Sequence, residues 1–488
     1  MRKLIGALLK TGSSSIANLL FNMMSVKIIA VLLGPAGVGL YNLLRQALFT
    51  FAAVGSGGQT ALVQGISSRD GFERDTFIRT VFWLFVCGTL ITVALIEVFS
   101  PLIALVMFGD NADQYETVIR WIAVPVVLFN TLIFLISVLN GFRAIGKIAI
   151  IEIIGPFITL LIVYPICIWV GEGYALAFVW MLSASQLVKI FFSFNVAKKN
   201  GWLAPIFSKK SSKIDKVSSS AFLRFASTTL FTSLLSMGAI LLVRAMIIRN
   251  GGLHDAGLFD VAWMLSGAYV MIILGSFGTY YMPTLTGMSS ASDRLVIIYQ
   301  VIRLSTMLMI PMIVTVIVLK PLLVSTLYTI EFSPSLDMVR WMLIGDFFKI
   351  TAWILTIPVL ANADMKMYFW IETFWNISFV LLSALAIFVF EQLEGISIAF
   401  MVIYACVAIF YLRYVQRTYG LRLSPALFLP WIGGLLVVVI TSWITWDDRI
   451  VSWETSFALI MASLSFVWVI FKKEERQFFI NKLRRGRA

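Results

Sequence analysis

Charge is scarce in this chain: Asp, Glu, Lys and Arg make up only 13% of its 488 residues, where a soluble domain carries about 25%. With 60% hydrophobic residues and a mean hydropathy of +0.94, most of its surface must face lipid or other apolar helices, which excludes a soluble globular protein. Cysteine and histidine are nearly absent. Cys87, Cys167 and Cys406 each lie in an apolar run without CxxC spacing, and His254 stands alone in what reads as a loop, so neither a disulfide framework nor a metal or cofactor site is supported. Acidic residues are outnumbered, 25 against 38 Lys and Arg, giving a net charge of +13. The excess sits in short clusters between apolar stretches, a pattern set by membrane topology rather than by nucleic acid. The first apolar stretch, roughly Ser13 to Leu33, is too long for a signal-peptide core and lacks a small-residue cleavage site, so it reads as a retained helix.

What is present is a series of about fourteen apolar windows of membrane-spanning length, about 20 residues each. They centre near residues 23, 48, 87, 130, 160, 184, 235, 268, 308, 350, 380, 404, 434 and 462. Gly34-Pro35, Asn140-Gly141, Gly171-Glu172-Gly173, Asn250-Gly251-Gly252 and Gly420 supply the breaks. Alternate connections carry the basic clusters, among them Arg69 and Arg74, Arg143 and Lys147, Lys198 to Lys216, and a tail from Lys472 to Arg487. The other connections hold only Arg249, Lys320, Arg340 and Arg449. By the positive-inside rule both termini are expected in the cytoplasm. The longest connections on the opposite face, of about 20 residues, leave little room for an extracytoplasmic catalytic domain.

The two halves match each other at an offset of roughly 220 residues. Gly39-Leu40-Tyr41-Asn42 pairs with Gly257-Leu258-Phe259-Asp260, Pro101-Leu102 with Pro321-Leu322, Arg120-Trp121 with Arg340-Trp341, Lys147 with Lys366, and Glu152 with Glu372. Glu172-Gly173 followed by Ala177-Phe178 pairs with Glu394-Gly395 followed by Ala399-Phe400. The expected architecture is an all-α polytopic membrane protein of two six-helix lobes, residues 1–197 and 221–418, related by a pseudo-two-fold axis along the membrane normal. A basic cytoplasmic linker, 198–220, joins them, and 419–488 adds two further helices and a basic tail.

An ionisable side chain at the centre of a membrane helix costs about 2.5–3.5 kcal/mol and needs a partner, a wet cavity or a route to the interface. Lys27, Arg45 and Arg244 fall in the first, second and seventh windows, each roughly 9–12 Å from the expected outer helix end. Lys27 and Arg244 are near-equivalents in the repeat. None of the three has an acidic residue one helical turn away, so an anionic ligand is the economical counter-charge, weighed against snorkelling or pairing with another helix. Candidates for ion coupling are Asp346, Lys349, Glu152, Glu372 and Asp260. Asp346 and Lys349, three apart, can neutralise each other, which favours a structural role. Glu152 and Glu372 sit near cytoplasmic helix ends, where solvation or capping competes with coupling; Asp260, matching Asn42, is a weaker candidate. Lys189 is close enough to the cytoplasm to snorkel.

The run Lys27-Ile28-Ile29-Ala30-Val31-Leu32-Leu33-Gly34-Pro35-Ala36-Gly37-Val38-Gly39-Leu40-Tyr41, followed by Arg45-Gln46, resembles the first two helices of the Wzx-type O-antigen and lipid-linked oligosaccharide flippases, within the multidrug/oligosaccharidyl-lipid/polysaccharide (MOP) exporter superfamily. That motif covers about a tenth of the chain; the helix count and the repeat extend the likeness to the whole. The resemblance implies a V-shaped fold of two six-helix bundles around a central cavity, working by alternating access. It implies as substrate undecaprenyl pyrophosphate bearing a short glycan, moved from the cytoplasmic to the periplasmic leaflet of the bacterial inner membrane, with an O-antigen polymerase and a chain-length regulator as partners. Lys27 and Arg45 carry over as cationic cavity residues, while Arg244 joins them through the repeat. Asn42, Gln46 and Gln59 are the candidate contacts for sugar hydroxyls. The two extra helices resemble those of the lipid II flippases, although the arginine-rich first-helix pattern of those proteins is absent here. Two rival functions remain. A drug or cation exporter of the same superfamily would place acidic groups in the first-lobe cavity, and a membrane glycan polymerase or ligase would need a sizeable periplasmic loop; the sequence favours neither.

Overall fold

The structure is a computed structural model that describes residues 2–56, 58–207, 216–288, 290–362, 364–422, 424–446 and 452–471. The core of the expected basic linker, Arg449 and the basic tail lie outside the described residues. Helices account for nearly all of the rest, and no strand occurs among the described residues. In hydrocarbon every backbone N–H and C=O must be satisfied within its own segment or by a neighbouring strand, so apolar runs of this length close into helices.

The helices are α1 (Arg2–Ser56), α2 (Gln59–Ser67), α3 (Gly71–Phe108), α4 (Ala112–Trp121), α5 (Ala123–Gly141), α6 (Ile145–Gly171), α7 (Leu176–Lys199), α8 (Ala204–Phe207) and α9 (Lys216–Thr286). They continue as α10 (Ala291–Leu327), α11 (Ser335–Ala361), α12 (Met365–Phe388), α13 (Glu394–Tyr419), α14 (Pro425–Ile444) and α15 (Trp453–Ile470). All fourteen predicted window centres fall inside a helix. Eleven stretches among the described residues are long and apolar enough to cross a membrane. Three of them hold more than one crossing: Gly71–Gly141 contains both α3 and α5, and Ala17–Ser56 and Phe231–Gly267 are each broken by a kink. Large apolar side chains stay exposed all along these helices, for example Leu90, Val98, Leu381 and Trp443, as lipid-facing surfaces require.

The two kinks fall at positions that correspond in the repeat. Gly34 (φ 61°) interrupts α1 and Gly252 (φ 79°) interrupts α9, both in a backbone region that L side chains adopt only with strain. Proline follows the first kink, as Pro35. Gly39 and Gly257, one turn beyond their respective kinks, let the two bent segments meet backbone to backbone. A methyl group on Gly39 would collide with the Leu253 carbonyl, and one on Gly257 with the Pro35 carbonyl.

By Cα packing the chain divides into two compact units. The first comprises Met1–Leu258 with Leu327–Glu331, the second Phe259–Thr326 with Phe332–Ala488. In the first unit α1 packs along α6, α6 on α7 and α7 on α5, and a core of Leu62, Phe77, Val81, Phe85, Leu135 and Leu139 lies between α2, α3 and α5. In the second unit α11 packs against α13 and α13 against α12.

Three buried cations fasten the last two helices to the second unit. Lys320 donates to the Thr445 carbonyl at 3.2 Å and Arg340 to the Trp446 carbonyl at 2.6 Å, both at the C-terminal end of α14. Arg303 donates to the Ile470 carbonyl, the last of α15, at 2.9 Å. Helix C-termini present unsatisfied carbonyls and partial negative charge, so a cation there answers both. Arg340 also stacks its guanidinium 4.1 Å from the Trp446 ring and binds Asp337 at 2.8 Å. The sequence pattern placed Lys320 and Arg340 in outer connections; the structure buries both, at 0% and 1% exposure.

Candidate functional site

Helix geometry sends the three candidate cations to different surroundings. Lys27, half-buried before the α1 kink, donates through Nζ to the Tyr328 carbonyl. Tyr328 belongs to the short segment that returns to the first unit, and the Glu331 carboxylate from that segment stands over the kink itself, 2.9 Å from where a Cβ on Gly34 would be. Arg45 and Gln46 follow the kink, and consecutive residues of an α-helix point about 100° apart. Gln46 therefore faces α9: its Oε1 accepts from Arg244 Nη1 at 3.0 Å and its Nε2 donates to the Met237 carbonyl at 3.1 Å. Thr50, one turn on, donates to that same carbonyl at 3.3 Å. Arg244 is buried here at 6% exposure.

Arg45 turns instead into a cavity of about 350 Å³ enclosed by α1, α5, α6 and α7 of the first unit. Its guanidinium carbon lies 5.5 Å from the Phe49 ring centre. Polar side chains share its lining. Asn22 donates to Asn18 Oδ1 at 2.6 Å, and Asn18 donates to the Glu152 backbone carbonyl at 3.0 Å. The Glu152 carboxylate in turn receives Lys189 Nζ at 2.9 Å. Lys189 thus turns onto an acid of the neighbouring helix instead of snorkelling, with only 14% of its side chain exposed. Gln186, one turn before Lys189 on α7, completes the wall. Arg45 and Lys189 against Glu152 leave the cavity net positive.

Of the expected sugar contacts, none lines this cavity. Gln46 is engaged by Arg244, Asn42 is half-buried elsewhere on α1, and Gln59 is exposed at the start of α2. The residues that do line it, Asn18, Asn22, Gln186 and Lys189, carried no distinguishing signal in the sequence. An isolated amide in an apolar helix reads the same whether it faces lipid, a neighbour or a cavity.

The second unit holds its own buried polar cluster. Asp346, at 0% exposure, accepts hydrogen bonds from Ser266 Oγ and Tyr269 OH, both at 2.7 Å, and Lys349 Nζ stands 3.7 Å away. Lys349 also lies over the Phe400 ring, 5.3 Å from its centre. Asp260 is buried at 2% exposure, and Glu372 is half-buried on α12 with its backbone carbonyl taken by Asn376. A separate cleft of about 140 Å³ between α10, α11, α13 and α14 is walled by Ile302, Phe348, Leu355, Leu412, Phe428 and Trp431. Its lining is almost wholly apolar. Among the described residues no group of His, Cys, Asp and Glu is arranged to hold a metal.

Solved structures share this fold of kinked membrane helices. An inward-facing multidrug-resistance MATE family transporter of the MOP superfamily matches with a TM-score of 0.69 at 14% identity, over 83% of this chain and 94% of its own. Lipid II flippase MurJ in an inward closed conformation matches with a TM-score of 0.68 at 14% identity, over 98% of this chain and 99% of its own. The chain thus shares its fold with these two proteins.

In sequence, the Lipid III flippase of Escherichia coli (strain K12) is 25% identical over 379 residues, covering 74% of this chain and 86% of that protein. The chain belongs to the polysaccharide biosynthesis protein family, whose model matches residues 28–337.

Proposed function

We propose that this protein is a flippase that moves a glycan linked to undecaprenyl pyrophosphate from the cytoplasmic to the periplasmic leaflet of the bacterial inner membrane. It works by alternating access, with both termini in the cytoplasm. The observation that carries this reading is Arg45: a guanidinium held on a kinked membrane helix and presented to a cavity whose side chains are net positive. Membership of a polysaccharide biosynthesis family and the relative named lipid III flippase supply the cargo class. The cargo we assign is an O-antigen repeat unit or similar surface glycan, passed on to a polymerase and its chain-length regulator.

Charge-assisted hydrogen bonds to a phosphate are strong in a partly desolvated site, and an arginine offers its donors in a planar fork suited to phosphate oxygens. Arg45 is the phosphate contact. Lys27 and Arg244, held at the Tyr328 carbonyl and at Gln46, add positive potential from the same unit. Gln46 positions Arg244, and Asn42 and Gln59 serve the glycan at other stages of its passage. The apolar cleft beside α14 suits hydrocarbon, and the prenyl chain stays in lipid against such surfaces. Asp346, Lys349, Glu152, Glu372 and Asp260 are the groups through which an ion gradient would act. No step of this reading breaks a covalent bond. The net positive cavity disfavours a cation exporter, which would gather acids there.

The test is in cells. Arg45→Ala is expected to lower surface glycan at least about tenfold, a loss of roughly 1.4 kcal/mol or more in the affected step, while the membrane level of the protein stays unchanged and lipid-linked precursor accumulates. Arg45→Lys keeps part of the activity because the charge remains but the fork is lost. Arg45→Glu supporting normal surface glycan would overturn the assignment.

A further inference from the structure

One acid of the repeat has a counter-charge in the first unit and none in the second. Glu152 of α6 and Glu372 of α12 are equivalent in the repeat, and Glu152 is held by Lys189 of α7 at 2.9 Å. The register that pairs Phe178 with Phe400 pairs Lys189 with Tyr411 of α13, so a phenol stands where the first unit has an ammonium. Ring contacts fix the level at which α12 meets α13. Phe374 packs on Phe410 with centroids 5.1 Å apart, and Trp375 on Tyr404 at 5.5 Å. Tyr411, buried at 1% exposure, interacts electrostatically with Glu372, as do Tyr404 and, one turn earlier on α12, Tyr368.

No cation among the described residues pairs with Glu372. The other helix packed on α12 is α11, whose Asp346 and Lys349 stand 3.7 Å apart and answer each other. They reach only Tyr404: its hydroxyl interacts with Asp346, and Lys349 lies 5.9 Å from its ring centre. Glu372 sits roughly 10 Å into α12, counted from Met365 by the helix rise. An uncompensated carboxylate is costly within a membrane span, and a proton removes the charge where no cation does. Tyrosine hydroxyls serve both forms, since each accepts from a carboxylic acid and donates to a carboxylate. We infer that Glu372 is a proton-binding site of the second unit, neutral as α12 and α13 pack here and able to give its proton to water at the start of α12 while Tyr368, Tyr404 and Tyr411 donate to the carboxylate left behind. One consequence rests on the flippase reading above: this proton is the ion whose gradient drives the cargo, and Glu152, locked to Lys189, takes no part.

Infrared difference spectra of the purified full-length protein at neutral pH test the site without any cargo. Wild type minus Glu372→Gln is expected to show a protonated-carboxyl C=O band that is lost as the pH is raised. Tyr411→Lys rebuilds in the second unit the pair that Glu152 makes in the first, and its protein should lack that band with Glu372 still present; Glu372→Gln keeps the shape of the neutral acid and guards against misfolding of the lysine variant. Absence of the band from wild type overturns the site, and so does a band that sodium chloride abolishes at constant pH while potassium chloride does not. In liposomes, a gradient of about one pH unit should shift the leaflet distribution of a fluorescent undecaprenyl-pyrophosphate glycan about tenfold for one proton per cargo, reversing with the gradient, and Glu372→Gln should flip without that response. Flipping by wild type that ignores the gradient overturns the coupling. No flipping by wild type beside an intact infrared band overturns the carrier reading and supports the proton site.

Discussion

At the residue scale, ionisable groups in this protein are distinguished by what the neighbouring helix offers them. Arg45 faces a cavity, Lys189 an acid, Arg340 a helix end, and Lys349 a carboxylate already served by two hydroxyls. The last case separates a structural pair from a coupling site. Removing one partner of a buried ion pair leaves the other charge stranded, at a cost of about 3–5 kcal/mol, whereas removing both is close to neutral. Lys349→Met alone should therefore depress folded membrane level and export sharply, and the double variant Asp346→Asn/Lys349→Met should recover most of both. Recovery of protein level without recovery of export would instead assign Asp346 to ion coupling. Sequence spacing alone revealed this pair, because residues three apart on one helix are neighbours on its surface. It could not reveal the Lys189–Glu152 pair, whose members are on different helices.

At the element scale, two devices shape the molecule: kinked segments in mutual contact, and cationic caps on the last helices. The first was legible. Gly34-Pro35 and Asn250-Gly251-Gly252 are breaks by composition, and their equivalence follows from the repeat. What the sequence did not disclose is that Gly39 and Gly257 are small because each meets the other segment's backbone. Backbone cannot move aside as the end of a side chain can, so Gly257→Val should lower the yield of folded protein or, where protein persists, abolish export. Wild-type export from Gly257→Val would show that the two segments separate freely at no cost. The caps were illegible for a plain reason: Lys320 and Arg340 precede the carbonyls they bind by more than a hundred residues, and cations flanking apolar runs look like ordinary loop charges.

At the scale of the whole molecule, composition decided most. A chain with so little charge and so many spanning windows can only satisfy its backbone as a helical membrane protein, and duplication limits the plan to paired bundles with additions. The cargo is not written in that plan, since the same fold serves multidrug transporters and a lipid II flippase. It has to be argued from the site, where the net positive cavity is the basis for proposing an anionic headgroup.

The most direct measurement follows that headgroup across a bilayer. Purified protein reconstituted into liposomes holding a fluorescent undecaprenyl-pyrophosphate glycan should make the outer-leaflet probe inaccessible to a membrane-impermeant quencher over time, faster than protein-free liposomes and far faster than the Arg45→Ala protein. Equal rates for wild type, the variant and empty liposomes would contradict the account at its centre.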